Sequence, residues 1–325
     1  MKKIIFSGIQ PSGNIHLGNY LGALVNWVEF QSEYDCVYSV VDLHAITVRQ
    51  DPNQLRKACR EVVAMLVSIG IEPQNIFIQS HVKAHTELAW VLNCFTYMGE
   101  LGRMTQFKEK SVKNEDNINA GLFTYPVLQA ADILLYQTDL VPVGEDQRQH
   151  LELTRDIALR LNNLLGDVFV VPEAHTPKEG ARVRSLQDPS KKMSKSDSSE
   201  NGIIYLTDSP AEIRAKLKRA VTDSDGVISY SEDKPGISNL LNIYAALEGL
   251  SAEATQATFE GAGYGKLKEG VAESIINALA PIRMRYEEIC EDEAYLDEII
   301  KHGADRARTM ADKTLVLVKE RIGIN

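Results

Sequence analysis

The sequence predicts an α/β fold: a doubly wound parallel sheet with a helical insertion, followed by an all-helical domain. Three patterns lead there. Lys3-Ile4-Ile5-Phe6-Ser7 and Cys36-Val37-Tyr38-Ser39-Val40-Val41-Asp42 are continuous β-branched or aromatic runs, the pattern of strands buried on both faces. Between them, Leu17, Leu21, Leu24, Val25 and Val28 fall on one helical stripe, so strand, helix and strand form a parallel unit. Beyond residue 202 the apolar spacing is helical throughout, over Pro210 to Ala220, Ile237 to Leu247, Val271 to Cys290 and Tyr295 to Ile322.

The remaining elements follow in order. Residues 53–69 and 84–135 are helical in period, interrupted by the charged turn Lys108 to Asn119, and read as an insertion over about 53–135 in the sheet domain. Ile76-Phe77-Ile78-Gln79 and Val168-Phe169-Val170-Val171 read as further strands, each after a helical stretch and a turn. Asp188 to Asn201 is rich in Ser, Lys and Asp with no apolar period, the composition of a flexible surface loop. The expected division is therefore 1–187 for the sheet domain, 188–201 for the loop and 202–325 for the helical domain, with the last helix free to pack back on the first domain. In a doubly wound sheet ligands bind at the carboxyl edge where the strand order reverses, which places the first strand-to-helix turn at the binding edge.

Bulk composition narrows the function classes. With 325 residues, 44% hydrophobic and 25% charged, the chain can bury a full core. No apolar run approaches the roughly 18 residues of a membrane span, and Met1 to Phe6 is too short for a signal-peptide core, so the expected location is the cytoplasm. Cys36, Cys59, Cys94 and Cys290 are scattered, with no metal-ligand spacing, so reduced thiols and no metal site are expected. A formal charge of −10 argues against a protein that coats nucleic acid by bulk electrostatics. Local basic patches remain at Lys108/Lys110/Lys113, Lys216/Lys218/Arg219 and Arg306/Arg308; each fits either a nucleic-acid contact or a solvated helix face.

Two distant segments carry the chemistry. In Gly8-Ile9-Gln10-Pro11-Ser12-Gly13-Asn14-Ile15-His16-Leu17-Gly18-Asn19, glycines let backbone approach a flat or anionic ligand, the next helix directs N–H groups at phosphate, and His16 adds an imidazole donor. It is neither a Walker loop nor Gly-x-Gly-x-x-Gly. Lys191-Lys192-Met193-Ser194-Lys195-Ser196 offers two ammonium groups, on Lys192 and Lys195, on a hinge able to swing onto phosphates and withdraw. Taken singly, each segment also fits a plain turn or solvated loop; a nucleoside triphosphate needs both.

Together they resemble the His-Ile-Gly-His and Lys-Met-Ser-Lys-Ser signatures of class I aminoacyl-tRNA synthetases, with Asn19 in the last position of the first. Val41-Asp42-Leu43-His44-Ala45, Tyr125-Pro126-Val127-Leu128-Gln129-Ala130-Ala131-Asp132-Ile133-Leu134, Pro142-Val143-Gly144-Glu145-Asp146-Gln147, Ala220-Val221-Thr222-Asp223-Ser224 and Lys234 to Leu241 are similar to the bacterial tryptophanyl-tRNA synthetases, and the likeness runs essentially end to end.

That resemblance implies a Rossmann-type catalytic domain and two reactions: L-tryptophan and ATP give tryptophanyl-AMP and pyrophosphate, and tryptophan then passes to the 3′-terminal ribose of tRNA(Trp). It also implies a homodimer through the helical insertion, Mg²⁺ accompanying ATP, and an anticodon-binding role for the helical domain. By the same resemblance Lys192, Lys195, Lys110 and His16 are the catalytic candidates, neutralising charge on the departing pyrophosphate without a covalent nucleophile. Gln10, Pro11, Ser12, Gly18, Asn19, Gly144, Glu145, Asp146, Val183, Met193, Ser194 and Ser196 would surround ATP. Tyr125 and Gln147 would face the amino group, with Phe6, His44, Val141 and Val143 lining the pocket. Indole offers one N–H donor, so its pocket needs one buried acceptor; Asp132 fits, though it also fits a capped helix-packing aspartate. His44 equally fits a satisfied core histidine, and Glu145-Asp146 a surface turn. Gln129 departs from the methionine common at its position, placing a polar group at the indole wall. A tyrosyl-type enzyme and a catalytically silent RNA-binding relative are the alternatives. Against the first stands Lys-Met-Ser-Lys-Ser itself; against the second, the presence of His16, Gly18, Lys192 and Lys195 together.

Overall fold

The structure, a computed structural model, describes residues 2–11, 13–105, 118–144, 147–176, 181–194 and 199–324. In chain order the principal elements are β1 (Ile4–Ile9), a helical run over 17–33 (α1), β2 (Asp35–Val40), α2 (Asp42–Ala45), α3 (Pro52–Ser68), β3 (Ile76–Ile78), α4 (Ala84–Cys94), α5 (Ala120–Leu134), β4 (Leu140–Pro142), α6 (Arg148–Leu165) and β5 (Glu173–His175). There follow α7 (Pro210–Lys218), α8 (Pro235–Glu248), α9 (Ala252–Thr258), α10 (Tyr264–Glu291) and α11 (Glu293–Ile322). No helix among the described residues is long and apolar enough to cross a membrane.

The strands form one parallel sheet in the order β3-β2-β1-β4-β5, so the order reverses beside β1. Ile5, Cys36, Val37, Tyr38, Val40, Ile76 and Phe77 are fully buried, which is why these strands read as unbroken apolar runs. Asp139 sets β4 beside β1: its carboxylate accepts from Ile4 N–H at 2.8 Å and its own N–H donates to the Ile4 carbonyl at 3.0 Å.

The predicted strand at 168–171 does not form. Asn162 Oδ1 accepts from the N–H groups of Val168 and Phe169, Asn162 Nδ2 donates to the Phe169 carbonyl, and Gln137 brackets Val168 and Val170 in the same way. Side-chain amides satisfy the backbone there, and the fifth strand begins instead at Glu173.

The chain divides into two units that interleave in sequence: one comprises 1–13, 30–177 and 292–325, the other 14–29 and 178–291. The first unit holds the sheet and α11. Gly303 is the reason α11 can lie against β3: a Cβ there would stand 1.7 Å from the Ile76 carbonyl oxygen. Arg306 fixes the contact, donating to the Cys36 carbonyl at 3.0 Å and pairing with Asp35.

In the second unit, Ile15–Leu17 is pinned by Leu17 N–H to the Ile204 carbonyl at 2.8 Å and Leu206 N–H to the Ile15 carbonyl at 3.0 Å. Of the basic patches, Lys216 is tied to Asp208 and Arg308 to Asp305, so these two cations have internal partners, while Lys108, Lys110 and Lys113 lie outside the described residues. The helices α7, α8 and α10 pack around Ile213, Leu217, Ile237, Leu240, Leu267, Val271 and Ile275, all buried.

Candidate functional site

A cavity of about 330 Å³ opens in the first unit, walled by the end of β1, the chain after β2, α5, and β4 with the residues beyond it. That is the carboxyl edge of the sheet where strand order reverses. Phe6, Gln10, His44, Tyr125, Gln129, Asp132, Val141, Val143 and Gln147 all line it. Thr47 and Ile133 also line it, and sequence reasoning had not singled them out.

Asp132 is the chemical centre of this cavity. It is 1% exposed and sits on α5 among the core residues Val127, Ala130, Ala131 and Leu134 of the same helix. Oδ2 lies 2.7 Å from His44 Nε2, and Oδ1 lies 2.6 Å from both Gln79 Nε2 and His85 Nδ1. Burial alone would push its pKa up; hydrogen bonds from His44 and His85 outweigh that and hold the carboxyl well below the usual carboxylate range. An ionised carboxylate only accepts, so His44 carries its proton on Nε2 and His85 on Nδ1. His44 is thus both a partnered core histidine and a cavity wall, with its ring edge-on to Tyr125 at 6.2 Å.

Tyr125 Oη lies 2.9 Å from His150 Nε2, and burial pushes the phenol up to about 12. At 3.4 Å, Gln129 Nε2 donates to Gln147 Oε1, so the departure from methionine finds a polar neighbour inside the cavity.

The second unit builds the other signature residues. His16 caps the helix that follows: its Nδ1 accepts from Asn19 N–H at 3.2 Å, and Asn19 Oδ1 accepts from His16 N–H at 3.3 Å. Asn19 therefore closes a reciprocal cap, and in the neutral His16 ring the donor is Nε2. The next turn, Tyr20–Leu24, is π-helical.

The described end of the lysine-bearing segment is a hairpin. Met193 N–H donates to the Val183 carbonyl at 3.1 Å, Ser185 N–H to the Lys191 carbonyl at 3.0 Å, and Arg184 bridges Lys192. Met193 and Val183 are buried, while Lys192 is exposed with no carboxylate partner among the described residues; Lys191 is paired with Asp188 at 2.7 Å. A Cβ on Gly18 would meet Met193 Cβ at 3.4 Å, so the two signatures abut within this unit. Pro11 is buried and Gly144 exposed in the first unit. Ser12, Lys110, Glu145, Asp146, Lys195 and Ser196 lie outside the described residues.

His85, Gln79 and Tyr136 were missed. His85 shares an apolar face of α4 with Leu88, Ala89 and Leu92, and a polar residue on such a face is the one signal that could have marked it.

Comparison with known proteins accords with this geometry. The family model described as tRNA synthetases class I (W and Y) matches residues 2–280. The tryptophan–tRNA ligase of Clostridium tetani is 55% identical over 99% of this chain and 96% of its own length, and that of Clostridium perfringens is 54% identical over 99% and 98%. Among solved structures, tryptophanyl-tRNA synthetase from Mycoplasma pneumoniae superposes with a TM-score of 0.88 at 36% identity, covering 100% of this chain and 99% of the other. That from Campylobacter jejuni, complexed with ADP and tryptophan, gives 0.85 at 35% identity, covering 99% and 100%.

Proposed function

The chain belongs to the class I tRNA synthetases of the W and Y type, its reaction is ATP-dependent ligation of tryptophan to tRNA, and from that premise we propose that the cavity around Asp132 holds the indole. The observation that supports this reading is a single buried carboxylate, ringed by donors, in a wall that sets Phe6, Ile133, Val141 and Val143 beside the polar side chains of Tyr125, Gln129 and Gln147. The indole N–H donates to Asp132, and Tyr125 and Gln147 face the substrate's ammonium group. Gln129 lies along the ring, its amide turned to Gln147.

ATP recognition is assigned to two sets of residues. Gln10, Pro11, Ser12, Gly144, Glu145 and Asp146 form the first set, the acidic pair accepting from ribose hydroxyls. His16, Gly18, Asn19, Val183, Met193, Ser194 and Ser196 form the second. The tryptophan carboxylate attacks the α-phosphorus, the bond to the pyrophosphate oxygen breaks, and the negative charge that develops there is neutralised by Lys192 and Lys195, with Lys110 as a third cation. His16 donates from Nε2 to the triphosphate. Mg²⁺ enters on the phosphate oxygens as part of the substrate; among the described residues no cluster of three metal-ligating side chains occurs. A hydroxyl of the 3′-terminal ribose of tRNA(Trp) then attacks the adenylate's acyl carbon, the bond to the phosphate oxygen breaks, AMP leaves and the hydroxyl proton is released; the helical residues from 202 onward receive the anticodon.

The same reading includes a cytoplasmic homodimer. Trp90 on α4 and Tyr97 and Met98 just after it, at 73%, 63% and 73% exposure, present large apolar side chains suited to a second copy of the chain. ATP–pyrophosphate exchange with each of the twenty amino acids tests the assignment: tryptophan alone should support exchange. Exchange with tyrosine would mean a tyrosyl-type pocket, and no exchange with any would mean a silent relative.

A further inference from the structure

Behind the cavity wall, the polar network extends past Asp132 into the core. His85 is 0% exposed; its Nδ1 faces Asp132 Oδ1 at 2.6 Å and its Nε2 lies 2.8 Å from Tyr136 Oη. With the His85 proton on Nδ1, Nε2 of the neutral ring accepts from the Tyr136 hydroxyl. That donor therefore holds the His85 proton on Nδ1, the nitrogen that faces the carboxylate. Tyr136 is itself clamped, stacked on Phe6 at 5.7 Å and packed against Phe77 at 5.6 Å. Phe77 also stacks on His85 at 5.6 Å. The aromatic wall of the cavity and the hydrogen-bond chain behind it are thus one packed cluster.

A carboxylate offers about four acceptor directions. Gln79, His85 and His44 occupy three. We propose that His85 and Tyr136 are positioning residues for indole recognition: with Gln79 and His44 they hold Asp132 in one rotamer with a single acceptor direction left for the substrate N–H. The proposal rests on the assignment of Asp132 to the indole. It adds that selectivity for the N–H is set by residues that never touch the substrate.

The charged and titratable groups facing this network are few. His44 from α2 and His85 from α4 bond Asp132 directly, Tyr136 bonds His85, and Tyr125 meets the His44 ring. Arg306 and Asp312 of α11 act on Tyr136 at longer range.

The test compares tryptophan with β-(benzothiophen-3-yl)alanine, in which sulfur replaces the N–H, by kcat/KM in ATP–pyrophosphate exchange. A site built around that N–H should favour tryptophan by on the order of 10⁴. His85→Leu should cut this ratio by about 10- to 100-fold, because Asp132 loses a charge-assisted bond and its fixed orientation. His85→Asn, whose amide can donate in place of Nδ1, should keep the ratio near that of the parent. Tyr136→Phe should lower it partly, and serves if His85→Leu does not fold. A purely structural role would raise KM for both amino acids alike and leave the ratio unmoved. An unmoved ratio in His85→Leu and Tyr136→Phe, with collapse in Asp132→Asn, overturns the proposal and leaves the Asp132 assignment standing. An unmoved ratio in Asp132→Asn overturns both.

Discussion

Replacing Asp132 by Asn keeps the shape of the side chain and changes one acceptor into a donor. If the amide oxygen stays with Gln79 and His85, both 2.6 Å from the present Oδ1, the new NH₂ points at the Nε2–H of His44, 2.7 Å from the present Oδ2. Turned the other way, it meets two donors, so the first orientation is cheaper. One hydrogen bond to a charged group is lost, about 1.5–3 kcal/mol, and a buried donor–donor conflict remains. The cost to stability should be about 2–4 kcal/mol at neutral pH. For tryptophan, loss of the charged acceptor corresponds to a rise in KM of roughly 10- to 150-fold, with the KM for ATP little changed. The sign of the pH dependence follows from the depressed carboxyl. Its stabilisation is complete above the unfolded value of about 3.9 and is lost as pH falls towards the folded value. The stability gap between parent and variant should therefore be flat from about pH 5 to pH 8 and narrow below about pH 4. Urea unfolding followed by fluorescence of buried Trp27 and exposed Trp90, alongside exchange kinetics, reads both effects. An unchanged tryptophan KM in a folded variant would refute the reasoning.

Three further outcomes are expected. Lys195→Ala should slow adenylate formation in single-turnover kinetics far more than it weakens tryptophan binding if, as proposed, its charge neutralises the departing pyrophosphate; equal losses would refute that role. Gln129→Met should tighten tryptophan binding by about two- to tenfold in titration calorimetry by removing a polar group from the indole wall, and weaker binding would show that the amide contacts the substrate. Gly303→Ala should destabilise the sheet unit by about 3 kcal/mol or more, because α11 must move off the Ile76 carbonyl; an unchanged melting curve would contradict the packing.

Much of this was legible in the sequence because it was local. β1 and β2 are buried on both faces and read as apolar runs, and the cavity-lining residues sit in motifs a few residues long. β4 was invisible: three residues including a proline carry no periodicity, and Asp139 fixes their place through β1. The strand expected at 168–171 failed for a tertiary reason, since Asn162 and Gln137 occupy the backbone groups a neighbour would have used. The return of α11 to the sheet depends on one glycine and one arginine whose spacing is unremarkable in a helix. The network behind Asp132 could not be read at all, because His85 and Gln79 lie 47 and 53 residues away: His85 meets it through the packing of α4 against α5, and Gln79 from the turn that follows β3.

On the proposed assignment Asp132 receives the indole N–H, and a crystal of the protein with tryptophan and a non-hydrolysable ATP analogue would show that contact. The indole nitrogen is expected at about 2.7–3.2 Å from an Asp132 carboxylate oxygen, with His44, Gln79 and His85 still bonded to that carboxylate. Tryptophan bound with its indole nitrogen turned to Gln129 or to solvent, and Asp132 engaged only by its protein partners, would contradict it.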